Sequence, residues 1–264
     1  MRKIAIINQK GGSGKTTSVV NIGWCLSENK RKVLLIDLDP QAHTTIHLGF
    51  EPPNIEKSIY EVLINEVPID ESIVQINDYL YLVPSKIELA SAEIELVTAV
   101  GREIILKEIL KKYKKRFDYI LIDCPPSLGL LTLNALTTVN EVFIPIQAEF
   151  FALEGLTKLL QTIQLVKERL NPSLEISGII LTMFDIRKNI CKDVAEKVKN
   201  HFNEKIFKTV IRENVRLAEA PSFGKSIYQF SPDSHGASDY KKLTKEIIAQ
   251  EKKKWKKQDL EKIR

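Results

Sequence analysis

The chain has 264 residues, of which 44% are hydrophobic, and carries 39 Lys and Arg residues against 34 Asp and Glu residues. No segment has the length and apolar purity of a membrane span, and the start of the chain leads directly into a predicted strand, so we expect no signal peptide. The three cysteines lie far apart without a C-x-x-C pair, which argues against disulfides and a zinc or cluster site and predicts a reduced, cytoplasmic protein.

The net charge of +5 is concentrated at the C-terminal end of the chain. Residues 241–264 contain ten basic and four acidic side chains, which leaves the rest of the chain close to neutral. A localised basic segment is typical of a protein that meets a polyanion, either a nucleic acid or an anionic membrane. Lysine-rich helix ends in solvent have the same composition, so composition alone leaves both interpretations open.

A phosphate-binding loop is predicted at residues 8–17, N-Q-K-G-G-S-G-K-T-T. The apolar run before it, residues 3–7, predicts a buried strand, and the apolar spacing of residues 18–27 predicts a helix. A strand, a glycine-rich turn and a helix form the setting that such a loop requires. Glycines let the backbone curl around a ligand, and the inward N–H groups and the helix dipole then attract phosphate.

Two side chains of this loop have specific predicted roles. Lys15 would reach the β- and γ-phosphates of a nucleotide, and the Thr16 hydroxyl would hold Mg²⁺. The loop departs from the general pattern G-x-x-x-x-G-K-[ST], because Gln9 replaces the first glycine and a second lysine, Lys10, follows it. The run K-G-G-x-G-K-T-T resembles the deviant Walker A motif of the ParA/MinD family of ATPases, and of its ParA/Soj branch in particular.

The resemblance implies ATP and Mg²⁺ as cofactors, and an ATP-bound homodimer in which Lys10 reaches the nucleotide of the other subunit. It also implies that Lys10 and Lys15 both serve catalysis. The predicted nucleotide-binding residues of the loop are Lys10, Gly11, Gly12, Ser13, Gly14, Lys15, Thr16 and Thr17.

Two carboxylates stand at the end of the next predicted strand, residues 32–37, in the run Asp37-Leu-Asp39-Pro-Gln. In a parallel sheet the carboxyl ends of the strands lie near the phosphate loop. The D-x-D-P-Q run resembles switch I of the ParA/Soj family, which implies that Asp39 positions the attacking water and that Asp37 lies close to the Mg²⁺ shell. An ordinary turn at a strand end would carry the same residue types.

A second possible metal site is the histidine pair that follows. His43 and His47 are spaced four residues apart, which would bring two imidazoles to one face of a helix. No third ligand is evident nearby and no H-E-x-x-H motif is present, so we interpret both as ordinary polar residues.

Another strand, predicted at residues 117–123, also ends in a carboxylate. Asp123 fits the Walker B aspartate that holds Mg²⁺ through water. The run D-C-P-P-S-L-G that it begins resembles switch II of the ParA/Soj family. That resemblance implies that Pro125, Pro126 and Gly129 belong to switch II, with Gly129 letting the backbone move with the γ-phosphate.

The remaining predicted elements alternate between strands and helices. Strands are predicted at residues 79–83, 141–146, 176–183 and 206–211, and helices at residues 59–64, 88–97, 102–113, 153–170, 190–202 and from 236 onward. This alternation predicts an α/β fold, a mostly parallel sheet with helices on both faces. We find no repeat or linker, and expect one domain over residues 1–264 with a basic helical tail from about residue 249.

The segment R-E-N-V-R-L-A-E-A-P-S-F-G-K-S, residues 212–226, resembles a late segment of the ParA/Soj family. The resemblance implies adenine contacts from Arg212 and Asn214, and DNA contacts from Arg216 and Lys225; a surface helix and turn is the plain alternative. Further DNA-binding candidates in the tail are Lys252, Lys253 and Lys254. MinD relatives end in a membrane-targeting helix, but apolar residues are sparse in this tail, so we expect no stable membrane anchoring.

Taken together, the resemblance implies a slow, partner-stimulated ATPase of the nucleoid that dimerises with ATP and binds DNA without sequence preference. It would segregate a chromosome or plasmid with a ParB-type partner, and we expect no operator-binding extension before the first strand. Two alternatives remain open: a ParA-like ATPase that positions another cargo, and a MinD-like membrane-associated positioning ATPase. A nitrogenase-reductase-like role is disfavoured, because the cysteines offer no evident pair of cluster ligands.

Overall fold

A seven-stranded sheet forms the centre of the computed structural model, which describes residues 1–113, 116–149 and 155–262, with side chains up to residue 251. The strand order is β3-β4-β2-β5-β1-β6-β7, and all neighbours are parallel except β3 and β4. This confirms the predicted fold class. The strands are β1 (Arg2–Ile6), β2 (Val33–Asp37), β3 (Val74–Gln75), β4 (Leu80–Val83), β5 (Tyr119–Asp123), β6 (Glu141–Gln147) and β7 (Glu175–Thr182).

Helices cover both faces of the sheet. One apolar cluster lies under α3 to α8, and a second lies under α1, α9, α10 and α11. The α-helices are α1 (Lys15–Glu28), α2 (His43–His47), α3 (Ile59–Ile64), α4 (Leu89–Glu95), α5 (Ile105–Lys112), α6 (Leu130–Thr138), α7 (Leu156–Arg169), α8 (Asn189–Phe202), α9 (Val215–Glu219), α10 (Ile227–Phe230) and α11 (His235–Lys262).

The central strands β2 and β5 place two acidic residues side by side. Both strands, with the sequences VLLID and YILID, are buried at every position. They are almost entirely apolar because a parallel strand covered on both faces needs apolar side chains on both sides. The two strands run in register, with Asp37 opposite Asp123 at their carboxyl ends. Charged residues in an otherwise apolar interior are unfavourable unless they are paired or bind a cation, so this position marks a site.

The prediction of a strand at residues 206–211 is wrong. Only isolated bridges form there, from Ile206 to Ile179 and from Arg212 to Phe184. The N–H groups of Phe207 and Ile211 donate to the Ile179 and Leu181 carbonyls of β7, but between them the N–H groups of Lys208 and Thr209 donate to the Glu246 carboxylate of α11, at 2.9 and 2.8 Å. A helix side chain therefore binds the backbone in the middle of the predicted strand, where the ladder is interrupted.

Other boundaries differ from the predictions by a few residues. The helix predicted at residues 88–97 is α4 followed by a 3₁₀ turn at Leu96–Thr98, and the helix predicted at residues 102–113 begins only at Ile105. The helix predicted at residues 153–170 is α7, and residues 153 and 154 lie outside the described residues. Helix α6 had no counterpart among the predicted elements.

The C-terminal helix α11 is continuous from His235 to Lys262, so the predicted tail extends the helix that packs against α1. The side chains of Lys252, Lys253 and Lys254 lie outside the described part, and the roles predicted for them stay predictions. Within the described residues, no helix is both long enough and apolar enough to span a bilayer.

Candidate nucleotide and metal site

The glycine-rich loop connects β1 to α1 at the carboxyl edge of the sheet. Gly12 and Gly14 have φ angles of 70° and 88°, a left-handed conformation that glycine adopts without strain. The loop is fixed from β7, because the Thr182 hydroxyl donates to the Ser13 carbonyl at 2.9 Å. Because α1 starts at Lys15, the loop can present backbone N–H groups to a phosphate at the positive end of the helix dipole.

Lys15 is almost completely buried at the first position of α1. Its ammonium group lies 3.4 Å from the Lys10 carbonyl, so the side chain folds back over the loop. The loop entrance is held by Asn8, whose amide donates to the Pro145 carbonyl at 2.6 Å and whose side-chain oxygen accepts from the Lys10 N–H at 3.0 Å. A buried cation above a curled backbone is suited to bind the terminal phosphates of a nucleotide.

Asp123 lies directly beside this loop. One carboxylate oxygen, Oδ2, accepts hydrogen bonds from the hydroxyls of Thr16, at 2.7 Å, and Thr44, at 2.8 Å. The other oxygen, Oδ1, is buried and has no hydrogen-bond donor among the described residues. Burial raises the pKa of Asp123, since desolvation disfavours the carboxylate, and the two hydroxyls and the charge of Lys15 act in the opposite direction.

Asp37 is the second buried carboxylate. Its Oδ2 accepts from both the backbone N–H and the hydroxyl of Thr45, at 2.8 and 2.7 Å. Burial, followed by the neighbouring charge of Asp123, raises its pKa. Each carboxylate would therefore gain from a divalent cation, which would neutralise the pair.

These residues fit Mg²⁺. The orphaned Asp123 Oδ1, the Thr16 hydroxyl and Asp37 supply hard oxygen atoms next to the phosphate loop. Within the described residues, no group of three or more His, Cys, Asp and Glu side chains is arranged to enclose a metal. Mg²⁺ keeps several waters and usually takes one or two carboxylates together with substrate phosphates, which the two carboxylates and the Thr16 hydroxyl can supply here.

Among the described residues, His43 and His47 belong to no group of three or more His, Cys, Asp and Glu side chains that could hold a metal. His47 is buried, and desolvation lowers its pKa to about 4, against a weaker opposing hydrogen bond with the Lys225 backbone. His43, by contrast, is exposed at the start of α2. His47 is thus a neutral packing residue of α2.

Asp39 lies two residues beyond Asp37, nearly buried. Its Oδ1 accepts the Gln41 N–H at 2.9 Å, and its carbonyl accepts the Ser85 hydroxyl at 2.7 Å. These bonds hold the turn at the carboxyl edge of the sheet, where the resemblance places the carboxylate that orients water.

The segment predicted as switch II leads into α6, with Gly129 at the N-cap. A Cβ on Gly129 would overlap the carboxylate of Glu93 from α4, and that carboxylate accepts the Leu131 N–H at 3.2 Å. Glycine at this position therefore leaves room for a carboxylate at the N-terminus of α6. Pro125 and Pro126 lie between this contact and Asp123.

Lys10 lies at the exposed rim of the site. Its ammonium pairs with Glu149, which follows β6, at 2.5 Å, and 42% and 53% of the two side chains are exposed. The lysine expected to act on another subunit thus has an acidic partner in its own chain.

Arg212 and Asn214, predicted to contact adenine, both make intramolecular hydrogen bonds. The Arg212 guanidinium donates to both oxygens of the buried Asp239 on α11, at 2.9 and 2.7 Å. The Asn214 side chain caps α9 by accepting the Arg216 N–H at 2.9 Å. Their role toward a base stays a prediction.

The other two candidates, Arg216 and Lys225, are exposed. Arg216 pairs with Glu219 one turn further along α9, at 2.9 Å. Close to Lys225, the backbones of Gly49 and Gly224 touch: a Cβ on Gly224 would lie 2.6 Å from the Gly49 Cα. This contact connects the end of α2 to the segment predicted to meet DNA.

Several residues of the site had no predicted role. Each of them makes a hydrogen bond that holds a predicted site residue or its segment in place. They are Asn8 in the phosphate loop, Thr44 and Thr45 on α2, Thr182 at the end of β7, and Glu93 on α4, which accepts an N–H at the start of α6. Their residue types are common and form no motif; the one hint in the sequence was the Thr44-Thr45 pair, which begins five residues after Asp39.

The chain is similar to several known proteins. A family model described as an AAA domain matches residues 1–176. The sporulation initiation inhibitor protein Soj of Bacillus subtilis is 50% identical over 247 residues, which covers 93% of this chain and 98% of that protein. The chromosome partitioning protein ParA of Myxococcus xanthus is 47% identical over 248 residues, covering 94% and 88%.

A solved structure is also similar over nearly the whole chain. It is a cobyrinic acid a,c-diamide synthase from Mycobacterium smegmatis with bound ADP and magnesium, with a TM-score of 0.84, 36% identity and coverage of 96% of both chains. Its sequence identity to this chain is lower than that of the Soj and ParA proteins.

Proposed function

Because the chain belongs to the Soj/ParA family of partition ATPases, we propose that it hydrolyses ATP with Mg²⁺ in order to segregate a chromosome or plasmid. One observation carries the proposal: the paired carboxylates of Asp37 and Asp123 lie beside the Thr16 hydroxyl at the edge of a phosphate loop. Buried acidic oxygens next to a phosphate cradle are what a Mg²⁺–nucleotide complex requires.

In this proposal, the loop N–H groups and Lys15 bind the phosphates, and Thr16, Asp37 and Asp123 hold Mg²⁺, the aspartates through water. Mg²⁺ would neutralise the charge that develops on the phosphates during hydrolysis. Asp39 orients the attacking water, because it is the carboxylate at the start of switch I. The segment with Pro125, Pro126 and Gly129 responds to the γ-phosphate.

The finer steps of the cycle belong to the same proposal. Two ATP-bound subunits dimerise, and Lys10 of each reaches the nucleotide of the other. Arg212 and Asn214 contact adenine. Hydrolysis is slow until a ParB-type partner stimulates it, and the protein resides in the cytoplasm on the nucleoid.

The dimer binds DNA without sequence preference through exposed cations. Arg216 and Lys225 are exposed on the folded body, and the ion pair of Arg216 with Glu219 lies at the surface, where water and salt weaken it. The tail adds further lysines. Two copies of these cations double the number of phosphate contacts, so DNA affinity should rise with ATP and fall steeply with salt.

The test is DNA affinity as a function of salt for two variants, with ATP and with ADP. Removal of residues 249–264 should weaken binding and reduce the salt slope without abolishing binding. The Arg216→Ala/Lys225→Ala double variant should lose more, because those side chains lie on a folded surface and lose less entropy on binding than a tail does. Lys197→Ala, an exposed lysine of α8, serves as the matched control.

Three outcomes would count against the proposal. If the truncated protein lost all DNA binding and the double variant bound DNA like the wild type, the DNA site would lie in the tail. No effect of either change would remove the DNA step, and ATP-dependent sedimentation with anionic vesicles would then support the MinD-like alternative. Normal DNA binding with ATP hydrolysis, but no effect on inheritance of a test plasmid, would support another cargo.

A further inference from the structure

Helix α2 contacts the metal-site carboxylates through two consecutive threonines. Thr44 donates its hydroxyl to Asp123 Oδ2 at 2.8 Å, and Thr45 donates to Asp37 Oδ2 at 2.7 Å. Both threonines are completely buried. A five-residue helix that follows Asp39 therefore donates one hydroxyl to each of the two acidic residues.

The Thr44 bond differs in one respect from the bond made by Thr16 to the same oxygen. Thr16 belongs to the phosphate loop and has a proposed role at Mg²⁺, whereas Thr44 belongs to the segment between Asp39 and Gly49. Thr44 and Thr16 donate to the same oxygen, Oδ2, while Oδ1 has no hydrogen-bond donor among the described residues. The Thr44 hydroxyl thus helps to fix the orientation of the Asp123 carboxylate beside Thr16, the proposed Mg²⁺ ligand.

The position of α2 is tightly determined. The residue before the helix, Ala42, has a φ of 53°, a left-handed conformation that a non-glycine residue keeps only where its surroundings enforce it. At the other end, Leu48 and His47 are buried, and Gly49 touches Gly224. The helix is therefore held at both ends, and Thr44 is held with it.

We propose that Thr44 is a positioning residue of the Mg²⁺ site, whose hydroxyl orients the Asp123 carboxylate and connects the Asp39 segment to the metal. The inference rests on the proposed function, since it requires ATP binding that depends on Mg²⁺. Hydrogen bonds that orient a metal ligand have large effects, and removing one typically lowers metal affinity by about 10- to 100-fold.

The test measures binding of a fluorescent ATP analogue as free Mg²⁺ is titrated, for the wild type, Thr44→Val and Thr44→Ser. Valine keeps the shape of threonine and removes the hydroxyl, while serine keeps the hydroxyl. We expect Thr44→Val to need about 10- to 100-fold more Mg²⁺ for half-maximal binding, and Thr44→Ser to stay within about threefold of the wild type. Binding measured in EDTA should be the same for all three proteins.

A second readout follows the helix itself. Hydrogen exchange of residues 43–47 should slow when ATP and Mg²⁺ are added to the wild type and to Thr44→Ser, and should change little in Thr44→Val. The matched control is Thr244→Val, a buried threonine of α11 away from the site, which should titrate like the wild type. If thermal unfolding shows that Thr44→Val does not fold, Thr44→Ala carries the same comparison.

The inference is overturned if a folded variant without the hydroxyl titrates with Mg²⁺ as the wild type does, or if serine fails to restore the wild-type titration. A failure of the proposed function looks different. In that case the wild type itself shows no binding of the ATP analogue that depends on Mg²⁺.

Discussion

The interior of the nucleotide site and its rim differ in how much of their geometry one chain supplies. In the interior, Asp37 and Asp123 are buried and already accept threonine hydroxyls at 2.7 to 2.8 Å. At the rim, Lys10 is half exposed and bound to Glu149 of its own chain. The interior is thus prearranged for chemistry in a single subunit, whereas Lys10 must leave an intrachain partner before it can reach another subunit. Substitutions should accordingly have large effects in the interior and small effects at the rim.

The largest effect is expected at Asp39. Asp39→Ala should lower ATP turnover by about 10²- to 10⁴-fold, because the water loses the group that orients it, while ATP still binds through the untouched loop. Phosphate release and equilibrium ATP binding measure the two quantities separately. Asp233→Ala, at an exposed aspartate, is the control. Turnover within a few per cent of the wild type in Asp39→Ala would show that another group orients the water.

Lys15→Ala tests the buried cation of the interior. Loss of one partner from a buried charged pair costs about 2–5 kcal/mol, so ATP affinity should fall by roughly 30- to several thousandfold. Isothermal calorimetry would measure it, and Lys197→Ala on the surface of α8 should bind ATP normally. Undiminished affinity in Lys15→Ala would contradict the assignment of the loop.

The pH dependence of stability tests whether His47 on α2 is buried in solution. The folded protein holds its pKa at about 4, below the ordinary 6.5, so between these pH values the unfolded chain binds a proton that the folded chain does not. Stability should therefore fall as the pH falls through this window, by about 3 kcal/mol. In His47→Gln this pH-dependent loss of stability should be absent. Urea unfolding at pH 4 to 7 would measure the free energy of unfolding of both proteins. The same pH dependence in the wild type and in His47→Gln would contradict the prediction.

The smallest effects are expected at the rim. Lys10→Ala should bind ATP as a monomer but dimerise less, since the phosphates lose a cation from the other subunit. Glu149→Gln should act in the opposite direction, because it frees Lys10 of each subunit from an exposed pair worth about 0–1 kcal/mol, and the dimerisation constant should rise by at most about fivefold for each of the two subunits. Light scattering with a slowly hydrolysed ATP analogue measures both. Equal dimer fractions in Lys10→Ala and the wild type would argue against a role across the interface.

The same division explains how much could be predicted from the sequence. The strands β2 and β5 are uninterrupted apolar runs that end in aspartate, so their burial and the carboxylate at the end of each strand follow from pattern. The phosphate loop carries its own motif. These features depend on residues that are neighbours in the chain.

Other features depend on partners that are distant in the chain. The run at residues 206–211 has the composition of a strand, but Glu246 on α11 takes two of its N–H groups. Thr44 reaches Asp123 across 79 residues, and Lys10 reaches Glu149 across 139. Helix α6 is buried on nearly all sides, and its threonines and asparagine are buried together with its leucines, so it lacks the amphipathic spacing by which helices are usually found.

The contact between Gly49 and Gly224 has a consequence for sequence variation. Both residues have a left-handed φ, 86° and 61°, and no side chain separates their backbones. Most packed surfaces tolerate gradual change, because a neighbouring side chain can shrink when another grows. Here there is nothing to shrink, so a larger residue on one side has no compensating replacement on the other. In a library that randomises both positions together, glycine should return at each of them, while the surrounding loop residues remain free to vary.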